Sequence, residues 1–237
     1  MTIPAIGTIT PSSNRTVERT LAGIMPFLPG VESCVARITY YGPGLGQPKD
    51  GYDLDAYRHA AWQLGHAQVG VVCWNGTRGA ALGLDADRAL AATMAEAAGC
   101  KATTAALATA TLLDRLGASR IGFVVPGEPV HAAEAAAGLG RGLAGVRALG
   151  LTDNHAAALV PPDRIAALAR EVAAEARPDA ILLWSTNLPG WQVMAPLEAE
   201  LGIPVIDSAA AGIWGCLDAL GLGMGRADAL GRIFQAA

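Results

Sequence analysis

Basic runs, paired cysteines and long apolar stretches are all missing from these 237 residues, and each absence removes a class of function. Lys and Arg total 17 against 21 Asp and Glu and never cluster, so the basic stripe of a nucleic-acid-binding face is missing. Nothing approaches the ~20 consecutive apolar residues of a membrane span. The opening Met1-Thr2-Ile3-Pro4 has no basic leader region, so a cytoplasmic protein without a signal peptide is expected. The four cysteines (Cys34, Cys73, Cys100, Cys216) form no CxxC pair, which argues for reduced thiols and against a zinc cluster. GxSxG, Walker A and HExxH patterns do not occur. Gly140-Arg141-Gly142-Leu143-Ala144-Gly145 satisfies GxGxxG as a string, yet it does not open a helix after a strand and so lacks the phosphate-cradling geometry. No metal and no cofactor is expected.

What is present is a core. Hydrophobic side chains make up 52% of the chain and charged ones only 16%, so disorder is not expected. Short β-branched runs alternate with Ala-rich stretches of helical period, the pattern of a parallel sheet covered by helices. Strands are expected at Ile6–Thr10, Val35–Tyr40, Val69–Trp74 and Lys101–Thr104, with helices from about Thr16 and over Tyr52–Gly65, Leu84–Ala98 and Thr104–Leu116. A Gly/Pro-rich loop, Gly42–Gly51, is too irregular for a regular element. The pattern then restarts, with strands at Arg120–Val125, Arg147–Gly150, Ala180–Trp184 and Val205–Ile206. Its helices are Val130–Leu143, Asp163–Ala176, Trp191–Leu201 and Ala209–Leu220.

The restart is also visible in residues. Ile6-Gly7 leading to Pro11 matches Ile121-Gly122 leading to Pro126, and Val72–Thr77 resembles Leu182–Asn187. Ala98-Gly99 through Leu116-Gly117 parallels Leu201-Gly202 through Leu220-Gly221. The expected organisation is α/β: two pseudo-symmetric lobes, 1–117 and 118–221, each a mainly parallel sheet flanked by helices, with the active site between them. Residues 222–237 form a tail or helix packing back on the first lobe.

Ligands of parallel sheets bind beyond the carboxyl ends of the strands. That rule selects six loops: Pro11–Asn14, Asn75–Arg78, Thr103-Thr104, Pro126–Glu128, Ser185–Asn187 and Asp207-Ser208. They are rich in Ser, Thr, Asn and Gly, neutral donors suited to a small anion. Ser185 and Thr186 follow a buried strand directly. Arg78 is the cation of the set and a natural partner for a carboxylate, with a plain surface arginine as the competing reading. Asp207 is poised between capping the next helix and contacting a ligand. Among the histidines (His59, His66, His131, His155), His131 alone lies at the expected rim, sharing its loop with Glu128.

These residues resemble the aspartate/glutamate racemase superfamily, on its maleate cis-trans isomerase and arylmalonate decarboxylase branch. The resemblance runs through Ile6-Gly7, Pro11-Ser12-Ser13-Asn14 with Thr16-Val17-Glu18, Val71–Thr77, Ser185-Thr186-Asn187-Leu188 and Leu201–Ser208 to Gly212-Ile213-Trp214. It implies a cofactor-free site between the lobes, served in racemases by one cysteine from each half. In the isomerases one cysteine attacks the double bond. In the decarboxylase the first cysteine is a glycine and the second protonates an enediolate. Here the first position matches Gly76, or Asn75 with a one-residue shift, and the second holds Ser185. A tyrosine of the decarboxylase corresponds to Gly127.

Losing both thiols removes two-base racemisation and covalent attack. It leaves donors that stabilise charge on a carboxylate or enediolate. The expected function is a cofactor-independent lyase or decarboxylase of a small carboxylate or dicarboxylate. Ser185, Thr77, Gly76 and Asn75 would form the reacting centre, and Ser12, Asn14, Arg78, Thr186, Asn187 and Asp207 would hold substrate. An isomerase or racemase using Glu128, His131 or Asp207 is one alternative, and a catalytically silent carboxylate-binding protein is another. The expected partner is a small carboxylate, with no nucleic acid, no membrane, and room for a homo-oligomer.

Overall fold

A computed structural model of the chain describes residues 3–40, 42–43 and 46–236. The first sheet contains β1 (Ala5–Pro11), β2 (Glu32–Ile38), β5 (Val71–Trp74) and β6 (Lys101–Thr104) in the order β2-β1-β5-β6, every pair parallel. The second contains β7 (Arg120–Val125), β8 (Gly142–Ala148), β9 (Ala180–Leu183) and β10 (Val205–Asp207) in the order β10-β9-β7-β8, again all parallel. Read from its other edge, the second order is the first with β1, β2, β5 and β6 replaced by β7, β8, β9 and β10. The sequence repeat is therefore a repeat of topology.

The inner strands read as continuous apolar runs because both faces are covered. Val71–Trp74 and Ala180–Leu183 are buried at every residue. Helices α2 (Leu54–His66) and α4 (Leu84–Ala98) close one face of the first sheet around Tyr57, Leu64, Leu90 and Met94. A larger core spans both sheets and takes in Ile6, Leu112, Phe123, Leu182 and Trp214. Its centre is α10 (Ser208–Leu220), whose residues from Ser208 to Leu217 are all buried. A helix apolar on every side must be interior. Although it follows the last strand of the second sheet, α10 packs on β5, β6, α5 (Ala105–Arg115) and α1 (Thr16–Ile24) of the first.

Three expectations from the sequence are corrected. Helix α6 (Pro129–Gly138) stops five residues short of Leu143, because Gly140 turns left-handed at φ 65° and releases the chain into β8. Strand β8 consequently begins at Gly142 rather than Arg147, and the GxGxxG string lies on a turn and a strand. Two short helices, α3 (Arg78–Leu82) and α7 (Asn154–Ala158), went unread. In the Gly42–Gly51 loop, β3 (Gly42–Pro43) pairs with β4 (Gly46–Gln47), while Tyr41, Gly44 and Leu45 lie outside the described residues. The remaining long helices are α8 (Pro162–Ala176) and α9 (Met194–Leu201). After Gly221 the chain touches both halves: Arg226 N donates to Phe27 O, and Arg232 N to the Glu198 carboxylate. No helix among the described residues is long and apolar enough to cross a membrane.

Candidate active site

A cavity of about 420 Å³ opens where the carboxyl ends of the two sheets meet. It is lined from the loops after the inner strands β1, β5, β7 and β9, by Tyr40 after β2, and by Leu151 and Asn154 after β8. The loops after β6 and β10 stand at the sheet edges and contribute nothing to its lining.

Asn14, after β1, ties the halves together. Its Oδ1 accepts from Thr16 N (2.8 Å) and Val17 N (3.0 Å), starting α1, and its Nδ2 donates to Thr186 Oγ1 at 3.1 Å. Thr16 Oγ1 reinforces the joint by donating to Asn187 O at 3.1 Å. Asn187 Nδ2 donates to Asn154 O at 2.6 Å, and its backbone N donates to Ser185 Oγ at 3.2 Å. Ser185 N is held by Ser208 Oγ (3.1 Å), which itself donates to Leu183 O (2.6 Å). The Ser185 and Thr186 hydroxyls thus accept bonds that fix them. Their own protons meet no acceptor among the described residues, and both residues line the cavity with Thr77.

Arg78 is oriented from the opposite side. Its Nη2 donates to the carbonyls of Pro48 and Lys49, and its guanidinium carbon lies 5.7 Å over the Tyr52 ring. Its Nη1 is buried with no hydrogen-bond partner among the described residues. Tyr40, also in the lining, has its phenol pushed up by burial, an effect that the neighbouring Arg78 charge opposes. Tyr52 bonds to the buried Asp87 carboxylate, which Thr104 Oγ1 also reaches. Burial pushes Asp87 up, against those two bonds.

The sequence candidates divide cleanly. Asn14, Gly76, Thr77, Arg78, Ser185, Thr186 and Asn187 converge on the cavity, whereas Ser12, Asn75 and Asp207 stand outside it. The Ser12 hydroxyl accepts from Tyr40 N and braces the strand ends. Asn75 is sealed inside, donating to Ala209 O at 3.1 Å. Asp207 caps α10 by accepting from Ala210 N (2.8 Å) and also takes Gly190 N (3.1 Å). Its burial pushes the carboxyl up to about 7.

The thiols are elsewhere. Cys73 and Cys216 are both buried. The Cys73 thiol is pushed up by its hydrogen bond to Cys216 first and by burial second. None of the four cysteines lines the cavity. Gly76 stands where it does for want of space, since a Cβ there would lie 2.8 Å from Trp74 Nε1 and closer to the ring carbons.

Sequence reasoning missed the walls: Tyr40, Trp74, Trp184, Leu151, Asn154 and Glu134. Tyr40, Trp74 and Trp184 sit just at strand ends, so the carboxyl-end rule extended by one residue finds them. Glu134 lies three residues beyond His131 on α6, and that helical spacing was its signal.

A family model for arylmalonate decarboxylase matches residues 36–234. The chain belongs to the arylmalonate decarboxylase family. It is 32% identical over 245 residues to the arylmalonate decarboxylase of Bordetella bronchiseptica, across 98% of this chain and 97% of that protein. A glycine-to-cysteine, cysteine-to-serine double mutant of arylmalonate decarboxylase in liganded form superposes with a TM-score of 0.84. That likeness has 26% identity and covers 99% of this chain and all of the other. A Nocardia farcinica maleate cis-trans isomerase mutant with a covalently bound succinylcysteine intermediate has a TM-score of 0.77 at 25% identity, covering 94% of each chain. The family expected from the motifs is the family found.

Proposed function

We propose that this chain decarboxylates a small malonate-type dicarboxylate without a cofactor, through stabilisation of the enediolate left when CO2 departs. The observation that carries this reading is a family cavity lined by neutral donors, with glycine and serine where thiols would stand. Loss of CO2 breaks the bond to one carboxylate and leaves its electron pair on the central carbon, delocalised into the other carboxylate. The hydroxyls of Thr77, Ser185 and Thr186 supply hydrogen bonds where that charge grows. In other enzymes one such donor is worth roughly 10² to 10³ in rate. Arg78 Nη1 receives the carboxylate that is retained. Trp74, Trp184, Val125 and Leu151 form the apolar wall for an aryl or other apolar substituent. Ser185 stands beside the reacting carbon and passes it a proton from solvent. Four unpaired cysteines suit a reducing, cytoplasmic setting.

The test is CO2 release from phenylmalonate and methylphenylmalonate by the purified chain, without added metal or nucleotide. Release that falls at least tenfold in kcat/KM on Arg78→Met supports the reading; a panel of malonates with no turnover defeats it. The isomerase reading draws on the maleate isomerase likeness and would need maleate to yield fumarate. The cavity offers no thiol for the covalent step that the succinylcysteine intermediate of that relative represents.

A further inference from the structure

Three acid/base groups other than thiols were legible in the sequence, and the fold separates them. The Glu128 carboxylate turns back to cap the first turn of α6. Asp207 is shut beneath α10. His131 alone of the three lines the cavity, whose lining it shares with Thr77 and Arg78 of the other half.

The local chain fixes how the His131 ring is presented. Pro129 opens α6, placing His131 at the third helical position, where its Nδ1 accepts the Glu128 backbone N–H at 3.2 Å. A ring nitrogen that accepts a bond carries no proton, so the hydrogen is on Nε2. Gly127 makes room for this arrangement, since a Cβ there would lie 2.6 Å from His131 Nδ1. One capping bond therefore sets the orientation and the tautomer together. The result is an N–H donor in the cavity lining, in the first turn of α6, beside Val125, Pro126 and Gly127 of the preceding loop and Glu134 and Ala135 of the same helix.

We propose that His131 is a catalytic donor: its Nε2–H hydrogen-bonds the substrate carboxylate and the enediolate oxygen that develops from it. This rests on the decarboxylase reading. The imidazole keeps its proton throughout. The carbon–carbon bond breaks, its electron pair becomes the enediolate, CO2 leaves, and solvent delivers a proton to carbon through Ser185. An N–H donor suits this step because it stabilises the charge growing on the oxygen.

Two substitutions separate this role from helix capping. His131→Asn keeps an acceptor for Glu128 N but cannot reach the cavity, whereas His131→Gln restores a reaching N–H. With phenylmalonate as substrate, His131→Asn should lower kcat about 10²-fold with the melting temperature held. His131→Gln should recover at least tenfold of that loss. Retention of kcat within twofold by His131→Asn overturns the inference while leaving the decarboxylase reading intact. So does a loss on Glu134→Gln that His131→Asn does not share. Should the wild-type chain release no CO2 from any malonate, the decarboxylase reading falls and the inference is judged on phenylmalonate binding. A Kd weakened at least tenfold by His131→Asn then supports the contact, and an unchanged Kd overturns it.

Discussion

The indole of Trp74 lies across Gly76 so closely that no Cβ fits between them. The first of the two positions that would carry a thiol is thus closed by an aromatic wall, and the substitution of glycine there is coupled to the residue two places earlier. Trp74 is itself held by Tyr57, whose ring meets it edge-on at 5.0 Å, and by Tyr40 at 5.9 Å. Gly76→Cys must therefore push Trp74 out of a packed aromatic cluster. We expect it to lower stability by about 1–3 kcal/mol and to yield no racemase. Urea unfolding and a solvent-deuterium exchange assay on a chiral arylpropionate check both parts; a stable variant that exchanges the α-proton contradicts the prediction.

Ser185 presents the opposite case, an open position held by hydrogen bonds rather than packing. Its Oγ accepts Asn187 N at 3.2 Å and faces the cavity. A thiol is a much stronger acid than an alcohol and fits the same space. Ser185→Cys should accelerate decarboxylation at least tenfold and make it sensitive to iodoacetamide. A slower Ser185→Cys enzyme would show that protonation does not limit the reaction.

Asn14 performs two tasks with its two side-chain ends, and substitution can divide them. Asn14→Ala removes the α1 cap and the bond to Thr186, and should cost about 2 kcal/mol. Asn14→Asp keeps the cap but places a carboxylate against an anionic substrate. Its stability should stay near wild type while KM for phenylmalonate rises at least tenfold. Equal KM values for Asn14→Asp and wild type would remove Asn14 from the substrate's surroundings.

Stability should also report the buried carboxyls. Burial lifts Asp207 from 3.8 to about 7, against bonds from Ala210 and Gly190 that favour the charged form. The folded state therefore holds this proton more tightly than the unfolded one. Its contribution is complete below about pH 4 and is lost as pH rises through about 7. Asp87, also raised by burial, acts in the same direction. The stability of wild type relative to Asp207→Asn should shrink across that interval in urea titrations. A difference that stays constant with pH would show that Asp207 is ionised throughout.

Much of the fold was legible because a duplicated parallel sheet repeats its punctuation. Ile6-Gly7 to Pro11 and Ile121-Gly122 to Pro126 turn out to be equivalent inner strands, β1 and β7. The Ser185-Thr186-Asn187 loop was legible for a similar reason, as the polar end of a buried run. Asn75 and Asp207 misled because a polar residue at a strand end can serve structure as readily as ligand. Which service it performs depends on what packs above it. Asn75 is covered by α10, and Asp207, the last residue of β10, caps that same helix. Leu151 and Asn154 reach the cavity only through tertiary packing, which one sequence without the sheet order does not encode locally.

The position of α10 bears on how the protein is made. This helix is synthesised after both sheets, yet it covers the earlier of the two. A growing chain that has released residues 1–117 carries β5 and β6 with an apolar face still waiting for Ile213, Trp214 and Leu217. Completion of the first sheet's core is thus deferred until Ser208–Leu220 leaves the ribosome. Neither repeat, cut free from the other, inherits a finished interior.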